Sequence, residues 1–105
     1  MKESNQIAQI FKALCDEKRV NIIKLLKSGE MCACVIAEKL EITQPKLSYH
    51  MKILCSSGLV EHWYVGKWTH YKLSDEGAKT AINVIEELMS LDGETSCSCS
   101  SNKCE

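Results

Sequence analysis

No stretch of this chain approaches the roughly 20 consecutive apolar residues that span a bilayer. Its first residues, MKESNQIAQIF, also lack the apolar core and small-residue cleavage site of a secretory signal. A cytoplasmic protein with no membrane partner is the expectation. Charge of one sign is missing too: the net charge is −1, so composition does not announce a binder of polyanions. No internal repeat is visible. There is no C-x-x-C on a βαβ pattern, and no cysteine stands with a plausible histidine and acid for nucleophilic catalysis. A thiol enzyme or thiol metallochaperone is therefore disfavoured, the chain reads as no enzyme, and no organic cofactor is implied.

What the chain does have is cysteine, seven in 105 residues: Cys15, Cys32, Cys34, Cys55, Cys97, Cys99 and Cys104. In a reducing compartment an odd, rich set points to metal binding or redox chemistry and away from a disulfide framework. At this length, with 45% hydrophobic residues, one domain with a modest core is expected. Association would help to stabilise it.

Apolar periodicity organises the chain. Ile7, Ile10, Phe11 and Leu14 recur at helical spacing and predict a first helix over about Ser4 to Leu14. Asp16 offers an N-cap to a second, with Val20, Ile23 and Leu26 on one face, Ile22 and Leu25 widening it, and Gly29 as its stop. A third runs from about Cys32 to Leu40. Thr43 caps a fourth that has Pro45 near its start, Leu47, Met51 and Leu54 on its inner face and Gly58 at its end. Two short helices joined by about three residues read as a helix-turn-helix. Two β-rich runs, Val60 to Val65 and Trp68 to Leu73, then flank Gly66-Lys67 as a hairpin, the wing of a winged helix.

Ser74 caps the last helix. Its apolar set, Ala78, Ala81, Ile82, Val84, Ile85, Leu88, Met89 and Leu91, is too wide for a small domain to bury alone, which predicts packing on a second subunit. The expected architecture is mainly α with a small β-hairpin, a winged helix-turn-helix that dimerises through its first and last helices. Residues 1–92 make the DNA-binding and dimerisation domain, and 93–105 a flexible cysteine-rich tail.

Between Gln44 and Lys72 four lysines, Lys46, Lys52, Lys67 and Lys72, face Glu61 alone, while acids collect toward the C-terminus. A local phosphate-binding face is compatible with that balance. With Leu47, Met51 and Leu54 anchored, Gln44, Lys46, Ser48, Tyr49 and Lys52 are left to face DNA, and Thr43 lies near phosphate. Gln44 suits bidentate contact with adenine, the lysines suit phosphates, and Lys67 at the wing tip suits phosphate or the minor groove. For Tyr49 and His50, packing against the wing is an equal alternative. Trp63, Tyr64, Trp68 and Tyr71 read as cross-strand and core pairs.

The segment MCACVIAEKLEITQPKLSYHMKILCSSGLVEHWYVGKWTHYKLS, with FKALCDEKRVNIIKLL before it, resembles the arsenic-responsive (ArsR/SmtB) winged-helix repressors. The resemblance covers about Ile7 to Leu91. It implies a homodimer, joined through helices one and five, that sits on double-stranded palindromic operator DNA and leaves when a metal or metalloid ion binds. The family's cysteine box, Glu-Leu-Cys-Val-Cys-Asp-Leu-Cys, is matched by EMCACVIA at Cys32 and Cys34. It is not matched at Val35 or Ala37, so two ligands remain where trivalent arsenic prefers three thiolates. Residues two apart on a helix point about 200° apart. Cys32 and Cys34 are therefore expected to share an ion only if the first turn of helix three unwinds.

The tail supplies a rival or a complement in Cys97, Cys99 and Cys104. Cys15 and Cys55 read as buried small apolar residues. The expected inducer is trivalent arsenic or antimony. A soft divalent metal such as cadmium or lead, with four-thiolate cadmium needing body and tail cysteines together, and thiol oxidation are the alternatives.

Overall fold

A computed structural model describes residues 3–92; Cys97, Cys99, Cys104 and the rest of the expected tail lie outside the described residues. The elements are α1 (Ser4–Leu14), α2 (Glu17–Leu26), β1 (Met31–Cys32), α3 (Ala33–Leu40), α4 (Gln44–Ser56), β2 (Val60–Val65), β3 (Trp68–Leu73) and α5 (Asp75–Leu88). Each of three helices begins where a short polar side chain satisfies an orphan amide. Asp16 accepts from the Lys18 N–H at 2.8 Å, Thr43 from the Lys46 N–H at 3.3 Å, and Ser74 from the Gly77 N–H at 2.9 Å.

The expected hairpin is present, but the sheet has three strands. It is antiparallel in the order β1-β3-β2. β1 is two residues long, with Met31 opposite Tyr71 and Cys32 opposite His70. A two-residue strand carries no periodicity, and its pairing is a long-range event that local pattern does not encode. As a result α3 starts one residue later than expected, with Cys32 as its N-cap.

The main core lies where α2, α3 and α4 meet the sheet: Ala13, Ile22, Leu26, Ile36, Leu47, Met51, Leu54, Val60 and Tyr71. On α2 the buried stripe is centred on Ile22 and Leu26, while Val20 and Ile23 are only partly covered. A second, smaller cluster joins Ile7 and Ile10 of α1 to Ala81 and Val84 of α5, with Leu59 against it. The outer faces of the same two helices leave Phe11, Leu14, Ile82, Ile85 and Leu88 exposed. α5 approaches the turn after α4 so closely that a Cβ on Gly77 would sit 1.9 Å from the Gly58 carbonyl oxygen.

Three side-chain expectations are corrected. Cys15 is exposed, because it follows the last turn of α1 on the solvent side of the junction. Tyr64, 70% exposed, and Trp68, which lies under the Lys67 ammonium, are outside the core; only Tyr71 of the four aromatics is buried, and Trp63 stacks on His70 across the strands. His50 is buried against α2 and not against the wing.

Candidate nucleic-acid interface and thiol pair

α4 presents two distinct faces. Leu47, His50, Met51 and Leu54 are buried, and Thr43, Gln44, Lys46, Ser48, Tyr49 and Lys52 are all exposed. The six exposed residues expected to face DNA therefore share one element and its cap. Lys67 is exposed at the hairpin turn beside Gly66, whose φ of 65° is the left-handed conformation that a tight turn requires. An open cleft of about 500 Å³ runs between α4 and the wing, lined by Ser48, Lys52, His62, Tyr64 and Thr69, with Cys55 in its wall. One cation and several hydroxyls suit a sugar-phosphate strand more than an apolar ligand. Burial raises the Cys55 thiol above its ordinary value, which keeps it protonated.

The thiol pair differs from its expected geometry. Cys32 has the extended backbone of an N-cap, φ −74° and ψ 147°, so the helical 200° rule does not apply to it. Its sulfur lies 3.0 Å from that of Cys34, and no turn has to unwind. The two thiols are unequal. Contact with the Cys34 sulfur lowers the Cys32 thiol, helped by the Cys34 and Val35 amides, and contact with Cys32 raises the Cys34 thiol. Two touching thiols of unequal acidity place a nucleophile and a soft ligand pair together. Among the described residues no third cysteine, histidine or acid joins them to complete a metal site. Ala37, at the third position of the box, is buried and carries no donor.

Sequence reasoning missed Arg19. It is 5% exposed, and its guanidinium donates to the Ala13 and Lys12 carbonyls at 3.1 and 3.0 Å and meets His50 Nδ1 at 3.0 Å. The signal was present: Arg19 stands three residues before Ile22 and seven before Leu26, on the buried stripe of α2.

Residues 16–62, from the cap of α2 into β2, match the family model described as bacterial regulatory protein, arsR family. The chain is 38% identical over 89 residues to an uncharacterized HTH-type transcriptional regulator of Methanocaldococcus jannaschii, covering 84% of this chain and all of that one. It is 42% identical over 80 residues to the arsenical resistance operon repressor of Escherichia coli, covering 75% of this chain and 68% of that one. Its fold is similar to the solution structure of a homodimeric winged helix-turn-helix DNA-binding domain from Mycobacterium bovis, with a TM-score of 0.67, 25% identity and 89% of each chain covered.

Proposed function

The chain belongs to the arsR family of bacterial regulatory proteins, and from that membership we propose that it is a homodimeric repressor on double-stranded operator DNA. Its family and relatives are DNA-binding transcription regulators and not enzymes. Residues 1–92 form the winged domain and 93–105 the cysteine-rich tail. In this reading α4 enters the major groove, with Gln44, Ser48 and Tyr49 at base edges and Thr43, Lys46 and Lys52 at phosphates. Lys67 reaches the backbone or minor groove from the wing. The exposed apolar residues of α1 and α5 pair with those of a second copy, which matches two half-sites to one two-fold axis.

Trivalent arsenic or antimony is the inducer that releases the dimer. The contact between the Cys32 and Cys34 sulfurs carries this reading, since it presents two soft donors to one ion. The fit is two donors of three, and Cys97, Cys99 and Cys104 of the tail are assigned the remainder. Cadmium held by four thiolates would draw on both groups together, and lead is the other soft divalent ion to be tested.

The same sulfur contact favours a second reading, oxidation. Two thiols become a disulfide by giving two electrons and two protons to a peroxide, which leaves as water.

Fluorescence anisotropy of the reduced full-length protein on its own promoter duplex tests both readings. The forms to compare are wild type, Cys32→Ser/Cys34→Ser and a form ending at residue 93. Release by arsenite that is lost in the double variant supports the thiol pair as sensor. Loss only on truncation moves the site to the tail. Release by peroxide and not by arsenite or cadmium installs the oxidation reading instead.

A further inference from the structure

Neither DNA reading nor thiol chemistry uses the buried Arg19–His50 contact, yet it ties three helices together. Two of the guanidinium's donors go to carbonyls in the last turn of α1, that of Ala13 and that of Lys12, which also accepts from the Cys15 amide. A third nitrogen, Nη1, lies 3.0 Å from His50 Nδ1 in the middle of α4 and 3.9 Å from the Asp16 carboxylate at the cap of α2. A guanidinium has donors and no acceptor, so Arg19 donates and Nδ1 accepts. His50 is therefore neutral, with its proton on Nε2. Tyr49, on the exposed face of α4, packs its ring edge-on against the His50 imidazole at 5.1 Å. An unbroken series of contacts thus runs from the end of α1 through Arg19 and His50 to an exposed side chain of the helix assigned to read DNA.

We propose that Arg19 and His50 are positioning residues for α4: they fix its reading face against α1 and α2, and they make operator binding weaken as His50 gains a proton. The proposal rests on α4 being the reading helix. A protonated His50 has no acceptor left at Nδ1 and sets a second cation against the guanidinium. Either the ring leaves its place or α4 shifts.

The charged and titratable groups around the imidazole are Asp16, Glu17, Lys18 and Arg19 from α2 and its cap, and Lys46 and Tyr49 from α4. Asp16 and Glu17 are the acids among them, and Asp16 is the one that favours the proton on His50. Its carboxylate already accepts from the Lys18 amide and lies near Arg19. Because α1 carries part of the proposed dimer surface, a shift of α4 against α1 also changes the distance between the two reading helices of a dimer, and so the fit to half-site spacing.

The sign of the effect distinguishes it from ordinary electrostatics. Acid makes a protein surface more positive as a whole, and added positive charge strengthens binding to a polyanion. The Arg19–His50 contact predicts the reverse. The experiment is operator affinity by anisotropy at constant ionic strength for reduced full-length wild type and His50→Asn. The asparagine oxygen stands where Nδ1 stands and does not titrate.

The expected result is that the wild-type to His50→Asn ratio of dissociation constants grows about tenfold between about pH 8 and about pH 5.5, at unchanged far-UV circular dichroism. A ratio that stays constant overturns the proposal. Nitrogen-15 shifts of His50 in wild type give a check that needs no variant: an unprotonated Nδ1 at neutral pH is expected, and a proton found there overturns the contact. Gln44→Ala in the same titration separates the two layers. If it leaves affinity intact, α4 is not the reading helix and the proposal falls with that assignment. If it weakens binding while the ratio stays flat, α4 reads DNA and the Arg19–His50 device alone is excluded.

Discussion

Cys32 and Cys34 differ in acidity although both are cysteines on one short segment, and the largest cause for each is the contact with the other. Cys34→Ala removes the contact that lowers Cys32, so Cys32 should alkylate more slowly at neutral pH than in wild type. Timed iodoacetamide labelling with peptide mass spectrometry measures this, and an unchanged or faster rate would mean that the thiol contact does not activate Cys32. His50 gives a second expectation. Burial lowers its imidazole below the ordinary value of 6.5, opposed by Asp16 and reinforced by Arg19, Lys18 and Lys46. The folded state then binds fewer protons than the unfolded one, so its share of stability is complete above about pH 6.5 and is lost as the pH falls from there through the lowered folded-state value. Urea midpoints should drop in that window for wild type and hold for His50→Asn. At this scale the exposed face of α4 was legible, because anchored Leu47, Met51 and Leu54 dictate what is left outside. The roles of Arg19 and His50 were not, because a buried polar pair is set by a partner 31 residues away.

Among elements, the helices were the readable part. Their caps are local chemistry: Asp16, Thr43 and Ser74 each bond an amide two or three residues on, and their positions follow from sequence. β1 was not readable, since two residues become a strand only by meeting β3, and with it went the true geometry of the thiols. The join of α5 to the rest of the fold depends on Gly77. A methyl there would run into the Gly58 carbonyl, which is backbone and cannot swing aside. Gly77→Ala should therefore cost about 2 kcal/mol or more, although alanine is the better helix former. Thermal or urea unfolding checks this, and a variant as stable as wild type would mean that the two segments part without cost.

For the molecule as a whole, the described chain leaves an apolar surface that spans two helices, Phe11 and Leu14 on α1 with Ile82, Ile85 and Leu88 on α5. Contiguous exposed apolar area of this kind marks an interface. The width of the last helix's apolar set was enough to foresee that much. Ile85→Lys places a charge in that surface away from the Ala81–Val84 cluster that holds α5 to α1. It should lower the dimer fraction by about tenfold or more in sedimentation velocity and weaken operator binding with it, since each half-site would have to be bound alone. A variant that stays dimeric would place the interface elsewhere. Among the described residues no helix is long and apolar enough to cross a membrane.

The pairing of β1 with β3 also governs the order of assembly. Met31 and Cys32 meet Tyr71 and His70 only after α3, α4 and β2 have been made, so the strand that seats the first sulfur closes the longest loop in the sheet. Loop closure of that span is entropically late, and during synthesis its partner has not yet been added to the chain. A nascent polypeptide halted before residue 68 holds both cysteines but lacks the strand against which Cys32 is set. If the thiol pair is the sensor, as proposed above, capacity to register an inducer is acquired only after the helix-turn-helix has been synthesised.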